Sequence, residues 1–141
     1  MFLKNAWYCA GWDKDLSLGR DGLMPKRIAG QSLLLYRKPD ATPVAMEDRC
    51  CHRNAPLSLG RKEGDSIRCM YHGMKFGPDG RCTEIPGMAR IPEQACVRTF
   101  PVVERDNWLW VWLGDPQRAD PALICEAIGP GDPAWNLKVG H

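Results

Sequence analysis

The fold is decided by two segments of the sequence, CCHRNAPLSLG at residues 50–60 and CMYHG at residues 69–73. The first contains a Cys-x-His pair and the second a Cys-x-x-His pair, with sixteen residues, 53–68, between them. Each segment thus offers one sulfur and one imidazole nitrogen, which are ligands that transition metals prefer. The sequence therefore predicts a metal centre held by four side chains, those of Cys50, His52, Cys69 and His72.

Mixed sulfur and nitrogen ligands on both segments favour a two-iron, two-sulfide cluster. In such a cluster one iron takes both cysteines and the other takes both histidines. Two ferric ions, two sulfides and two thiolates sum to zero charge, because neutral imidazoles replace two further thiolates. A neutral oxidised cluster accepts an electron more readily than the four-cysteine version. We therefore predict that the four residues bind a [2Fe–2S] cluster that carries single electrons, and we predict no catalytic residue.

A structural zinc site is the alternative, because zinc is also bound by two cysteines and two histidines. Structural zinc usually takes two cysteines from one arm and two histidines from the other, whereas both arms here are mixed. The spacing therefore favours iron and sulfide over zinc. Cys51 adjoins Cys50 but does not keep the Cys-x-His spacing, so we predict that it is a bystander thiol.

The composition excludes several classes of protein. The chain has 141 residues, 44% of them hydrophobic, and a formal net charge of +2. This length suits one domain with its own core, and the charge lacks the basic excess of nucleic-acid binders. The sequence has no signal-peptide pattern and no run of roughly 20 apolar residues that would cross a bilayer. We therefore expect a cytoplasmic protein that binds neither nucleic acid nor membrane.

Seven cysteines are many for this length. Without a secretory signal, they suggest metal ligands or buried thiols rather than a disulfide framework. Cys9, Cys82 and Cys96 lie in or beside apolar runs. We predict that these three are small buried side chains.

Short apolar runs separated by turn residues predict an all-β fold. No segment keeps a 3.6-residue period, and turn sequences such as GPDG at residues 77–80 separate the runs. We expect antiparallel sheets and a subdomain whose two loops bind the cluster. The predicted strands are residues 6–10, 26–29, 33–37, 44–47, 66–69, 74–76, 81–84, 99–104 and 108–113.

The last predicted strand, at residues 108–113, is apolar on both faces, since three tryptophans alternate with two leucines and a valine. Such a strand needs cover on both faces, from the domain's own layers or from a partner. After Gly114 the periodicity ends and prolines interrupt the sequence. We therefore divide the chain into a domain at residues 1–114 and a tail or linker at residues 115–141.

The two metal-binding segments resemble the N-terminal domain of Rieske non-haem iron oxygenases. Similarity also extends to KNAWY at residues 4–8, FPVVE at residues 100–104 and GDP at residues 114–116. The closest resemblance is to the vanillate O-demethylase oxygenase group, which includes dicamba monooxygenase. Position 51 is usually proline in that group, so Cys51 departs from its pattern.

The resemblance implies an oxygenase that activates O2 at a second site, a mononuclear Fe(II) held by two histidines and a carboxylate. Only His141 remains once the cluster takes two histidines, so we expect that site to lie in a domain absent from this chain. The resemblance further implies an aromatic-ring monooxygenase or O-demethylase, an NAD(P)H-dependent flavin/iron–sulfur reductase as electron donor, and a homotrimer at full length. The alternative is a freestanding Rieske ferredoxin.

The residue after the second His-Gly bears on the reduction potential. High-potential Rieske proteins carry a serine there, whereas Gly73 is followed here by Met74, which offers no hydroxyl to a cluster sulfur. Fewer hydrogen bonds stabilise the reduced state less, so we predict a potential at the low end of the range, around −150 mV. Five basic residues near the motif could attract an acidic electron donor, although solvated loop charges are the commoner arrangement; they are Arg49, Arg53, Arg61, Lys62 and Arg68.

Overall fold

The computed structural model describes residues 2–17, 20–136 and 138. These residues form three antiparallel β-sheets and contain no α-helix. Sheet A has the order β1-β11-β10, sheet B the order β2-β3-β4-β9, and sheet C the order β5-β6-β7-β8. The strands are β1 (Ala6–Trp12), β2 (Met24–Ile28), β3 (Gln31–Arg37), β4 (Pro43–Glu47), β5 (Arg61–Glu63), β6 (Ser66–Arg68), β7 (Lys75–Phe76), β8 (Cys82–Glu84), β9 (Thr99–Phe100), β10 (Val102–Arg105) and β11 (Trp108–Leu113).

The predicted all-β fold is confirmed, with two differences in its strands. Strand β5 was not predicted, because its sequence Arg-Lys-Glu has no apolar residue. The predicted strand at residues 99–104 is two strands, β9 in sheet B and β10 in sheet A. Pro101 lies between them and has no N–H to donate to a ladder, so the pairing changes there from one sheet to the next.

Strand β3 is the centre of the domain, because sheet B lies between the other two sheets. Leu33 and Leu35 pack into a core shared with sheet A, and Leu34 and Tyr36 pack into a second core shared with sheet C. All four side chains are fully buried. Successive side chains of a strand point to opposite faces, so this continuous apolar run joins two hydrophobic cores.

The last strand, β11, is covered on one face by the core and on the other in part by the chain that follows it. Leu109, Val111 and Leu113 lie in the core between sheets A and B. On the outer face, the indole of Trp7 packs edge-on against Trp112, with ring centroids 5.5 Å apart. The segment 115–125 lies on this outer face, where Asp115, Asp120 and residues 123–125 adjoin the tryptophans.

Two hydrogen bonds fasten that segment to the outer face of sheet A, which we call the tryptophan face because it carries Trp7, Trp110 and Trp112. Trp7 Nε1 donates a hydrogen bond of 2.8 Å to the carbonyl of Asp120, and Trp112 Nε1 donates one of 2.8 Å to the carbonyl of Asp115. Part of the predicted tail therefore packs on the domain. His141 lies outside the described residues.

The prediction that Cys9, Cys82 and Cys96 are buried is confirmed for Cys82 and wrong for the other two. Cys82 is buried, whereas Cys9 and Cys96 are exposed. Cys9 lies on β1, where the neighbouring Ala10 takes the buried side, so alternation along the strand turns the thiol outward. Cys96 lies between β8 and β9, outside both strands.

The helices of the described residues are too short or too polar to span a membrane.

Shortening a buried side chain on either face of β3 should destabilise the domain, and the two faces should differ in their effect on the metal centre. We expect Leu34→Ala and Leu35→Ala each to lower the free energy of unfolding by about 2–5 kcal/mol, because each leaves a cavity in a fully buried site. Only Leu34 shares its core with Cys50 and Cys69, so only Leu34→Ala should also reduce the bound iron. Urea unfolding and iron analysis measure both effects, and a loss below about 1 kcal/mol in either variant contradicts this account.

Candidate metal centre

The two loops that carry the predicted ligands have the same backbone hydrogen bonds. Loop 1 lies between β4 and β5, and loop 2 lies between β6 and β7. In loop 1, the Cys50 N–H donates to the Ala55 carbonyl at 2.8 Å, and the Asn54 N–H donates back to the Cys50 carbonyl at 3.0 Å. Loop 1 is therefore a turn that two hydrogen bonds close around Cys50.

Loop 2 repeats this pattern around Cys69. Its N–H donates to the Met74 carbonyl at 2.8 Å, and the Gly73 N–H donates to its carbonyl at 3.2 Å. Asn54 and Gly73 hold equivalent positions and have positive φ, 57° and 75°. Asparagine and glycine are the residues that adopt this conformation most readily, which explains why these residue types close the two turns.

The turns place the two cysteines inside and the two histidines outside. Cys50 and Cys69 are buried in the core between sheets B and C, and their side chains are hydrogen-bonding neighbours. His52 and His72 are exposed, with ring centroids 4.8 Å apart. The structure thus brings the four sequence-predicted residues together as a buried thiol pair beneath an exposed imidazole pair.

The environment of Cys50 disfavours a free thiolate. Burial raises the pKa of the Cys50 thiol to about 11, and the adjacent Cys69 raises it as well, although the N–H of His52 donates to the sulfur. Bound iron cations would reverse this balance, since a coordinated thiol is deprotonated. The donor set therefore fits a cationic centre.

The arrangement also suits two irons that each take two protein ligands. Among the residues that the structure describes, no group of three or more His, Cys, Asp or Glu side chains surrounds a single metal position. A two-iron cluster with a cysteine pair and a histidine pair does not need such a group, because its sulfides complete the coordination.

A carboxylate clamp fixes the far end of loop 1. Asp48 accepts a 2.7 Å hydrogen bond from the Ser58 N–H and a 2.6 Å bond from the Ser58 hydroxyl. The chain then passes Gly60, where a Cβ atom would lie 2.1 Å from the Arg68 carbonyl oxygen, so only glycine fits. Loop 1 is therefore held against β6, the strand that leads into loop 2.

Arg68 fixes loop 2. Its guanidinium donates to the Gly73 carbonyl at 2.8 Å, to Glu63 at 2.7 Å, and to both carboxylate oxygens of Glu84 at 3.0 and 2.9 Å. Sequence reasoning missed this role, because the two glutamates lie on other strands. The pairing of an arginine with two carboxylates across sheet C is visible only after folding.

The basic residues near the motif are mostly paired within the domain. Arg49 lies 2.9 Å from Glu47 and Arg61 lies 2.8 Å from Glu63, which also pairs with Arg68. The surface beside the histidines is instead apolar, since Met70 and Tyr71 are 61% and 60% exposed. The Tyr71 ring lies 3.9 Å from the His72 ring.

Comparison with known proteins assigns the class of this domain. The family described as Rieske [2Fe-2S] domain matches residues 6–101. The chain therefore belongs to the Rieske [2Fe–2S] domain family, as its motifs and its all-β fold predicted.

The relatives are oxygenase components. The toluene-4-sulfonate monooxygenase system iron-sulfur subunit TsaM1 of Comamonas testosteroni is 46% identical over 141 residues, which is 100% of this chain and 40% of that subunit. The vanillate O-demethylase oxygenase subunit of a Pseudomonas species is 38% identical, covering 96% of this chain and 37% of that subunit. The predicted resemblance to the vanillate O-demethylase group is confirmed.

A solved structure agrees with these sequence relatives. The crystal structure of dicamba monooxygenase bound to dicamba matches with a TM-score of 0.86 and 40% identity, over 94% of this chain and 39% of that one. This chain thus spans about two fifths of the length of the proteins that it matches.

The Arg68 cluster predicts a loss of stability in acid. Hydrogen bonds from Arg68 and then Arg61 lower the pKa of Glu63 from 4.5 to about 2, and Arg68 also lowers the pKa of Glu84. A depressed carboxyl pKa stabilises the fold above about pH 4.5, and this contribution is lost as the pH falls towards 2. Urea-unfolding midpoints should therefore fall over this window.

The variant Arg68→Met should show a shallower fall across the same window, because the two glutamates then titrate nearer their ordinary pKa values. Arg53→Met, at an exposed loop position, is the matched control and should follow the parent curve. Equal pH slopes for the parent and Arg68→Met would show that Arg68 does not cause the lowered pKa values of Glu63 and Glu84.

Proposed function

We propose that Cys50, His52, Cys69 and His72 hold the Rieske [2Fe–2S] cluster, with both cysteines on one iron and both histidines on the other. The supporting observation is the buried thiol pair lying next to the exposed imidazole pair, both presented by turns with the same hydrogen bonds. When bound, the cluster supplies one-electron redox chemistry. The chain's function is then to pass single electrons.

The residues around the ligands divide the site into a dry side and an accessible side. Cys50 and Cys69 lie in the core, where water is excluded from their sulfurs. His52 and His72 lie at the surface, so their rings form the edge of the site that a redox partner can approach. Met70 and Tyr71 give this edge an apolar rim, which favours a close and desolvated contact.

We further propose that this domain, at residues 1–114, is the N-terminal part of an aromatic-ring monooxygenase or O-demethylase, with residues 115–141 leading to a catalytic domain. The relatives named above are monooxygenase or O-demethylase components, and the chain spans about two fifths of their length. The mononuclear Fe(II) would belong to the catalytic domain. Its electrons would come from an NAD(P)H-dependent flavin/iron–sulfur reductase, and the whole protein would be a cytoplasmic homotrimer.

Substitution of the proposed ligands tests the site directly. We expect Cys50→Ser, His52→Ala, Cys69→Ser and His72→Ala to remove most of the bound iron and the EPR signal of the reduced cluster, because each iron has only two protein ligands. The purified parent should contain two irons and two sulfides per chain. Iron and sulfide analysis together with EPR of the dithionite-reduced protein provide the measurement.

The matched control is Cys9→Ser, since Cys9 is an exposed cysteine on sheet A, away from both loops. It should keep the iron and the signal. Stoichiometric zinc in a colourless parent would refute the iron–sulfur assignment. Retention of the cluster by any of the four variants would refute the proposed ligand set.

Substitutions of Met74 test whether the lack of a hydroxyl at this position keeps the reduction potential low. Met74 is buried in the same core as Cys50 and Cys69, so the hydroxyl of Met74→Ser would lie in the core that contains the two proposed sulfur ligands. We expect a parent potential of around −150 mV and a higher potential in Met74→Ser, because a hydrogen bond to sulfur stabilises the reduced state. Met74→Leu keeps the volume without the hydroxyl and should leave the potential unchanged. A parent potential above zero, or equal potentials in the two variants, would contradict this explanation.

A further inference from the structure

One aromatic side chain lies against a proposed ligand at the exposed edge of the site. The ring of Tyr71 lies 3.9 Å from the ring of His72, centroid to centroid, with an angle of 40° between the two planes. Aromatic pairs usually lie about 4.5–7 Å apart, so this separation is short and brings the ring faces into contact. Tyr71 is 60% exposed, so most of its ring lies outside the hydrophobic core, and its described ring contact is with His72.

The orientation of the His72 imidazole is not determined by the backbone. The second side-chain torsion of histidine is broad and roughly two-fold, so the ring nitrogens can point in several directions. In metal sites a ligating histidine usually donates its other N–H to a carboxylate or a carbonyl, which fixes the ring. Within the part of the chain that the structure describes, the His72 imidazole contacts the rings of His52 and Tyr71 and takes part in no hydrogen bond. The Tyr71 ring is therefore the non-ligand group that can fix it.

The two loops differ in how they support their histidines, although their backbone hydrogen bonds match. In loop 1 the histidine follows its cysteine by two residues, and in loop 2 it follows by three. The additional residue places Tyr71 directly before His72. Residues 48–60 contain no phenylalanine, tryptophan or tyrosine, so loop 1 has no counterpart of Tyr71 for His52. The aromatic contact is therefore a property of loop 2 alone.

We propose that Tyr71 is a positioning residue for His72, and that contact between the two rings holds this imidazole beside that of His52. The inference rests on the proposed role of His72 as an iron ligand. The two imidazoles lie 4.8 Å apart, with an angle of 65° between their planes. Because the Tyr71 ring restrains His72 before metal binds, less side-chain freedom is lost on coordination and the ligand is held more firmly afterwards.

Two substitutions separate the aromatic ring from its apolar bulk. Tyr71→Phe keeps the ring and loses only the hydroxyl, whereas Tyr71→Leu keeps an apolar side chain without a flat face. A residue that only shields the site from water would tolerate both changes equally. A residue that positions His72 by ring contact tolerates Tyr71→Phe and not Tyr71→Leu.

Iron release and EPR of the iron-loaded protein provide the measurements. We expect Tyr71→Leu to bind the same amount of iron as the parent but to release it to a chelator about 2- to 10-fold faster, because His72 then samples more ring orientations. The EPR signal of the dithionite-reduced variant should also broaden, since a spread of ligand orientations gives a spread of g values. Tyr71→Phe should match the parent in both measurements.

The matched control is Met88→Ala, which removes another exposed apolar side chain, in the segment between β8 and β9. It should leave the release rate and the EPR line width unchanged. Equal behaviour of Tyr71→Leu and Tyr71→Phe would overturn the proposal, and so would the same change in Met88→Ala as in Tyr71→Leu.

The variant His72→Ala distinguishes failure of this inference from failure of the proposed ligand set. If His72→Ala loses the iron while Tyr71→Leu matches the parent, the ligand set stands and only the positioning role of Tyr71 is refuted. If His72→Ala keeps the iron and the EPR signal, the ligand set itself is wrong, and the positioning role is refuted with it.

Discussion

The rest of the structure depends on the burial of two thiols side by side in an apolar core. Cys50 and Cys69 lie among side chains such as Leu34, Tyr36 and Phe76, in an environment that opposes negative charge on sulfur. Such an arrangement is unfavourable for free thiolates, and the proposed iron centre would compensate for it. The two closed turns, the Asp48 clamp and the Arg68 contacts all serve to keep the sulfurs in this position.

The same constraint explains how charge is arranged around the site. Because the core is apolar, the charged residues that hold the loops lie at its edge, where Arg68 pairs with Glu63 and Glu84. These charges are neutralised within sheet C. The surface next to His72 presents the thioether of Met70 and the phenol of Tyr71, and Arg53, next to His52, adds an exposed positive charge. Recognition there should therefore combine desolvation of the apolar groups with attraction to a negative charge on the partner.

Most of the fold and the grouping of the candidate site could be predicted from the sequence, because both are local patterns. The Cys-x-His and Cys-x-x-His spacings lie within single turns, and nearly every strand was visible as a short apolar run. Strand β5 was missed because it is short and polar and is fixed by pairing with β6. The contacts of Arg68 with Glu63 and Glu84 were missed because they join residues on different strands. Cys9 and Cys96 were misplaced because composition alone does not tell which face of a strand or loop a side chain takes.

The packing of residues 115–125 on the tryptophan face has a consequence for how the domain is put together. That face is the outer side of sheet A, while the paired imidazoles belong to loops that pack on the opposite side of sheet B. Two hydrophobic cores separate the place where the following chain is anchored from the place where electrons would cross. The packing of the following chain and the proposed redox contact therefore lie on opposite sides of the domain, and a substitution on one side should leave the packing of the other side intact.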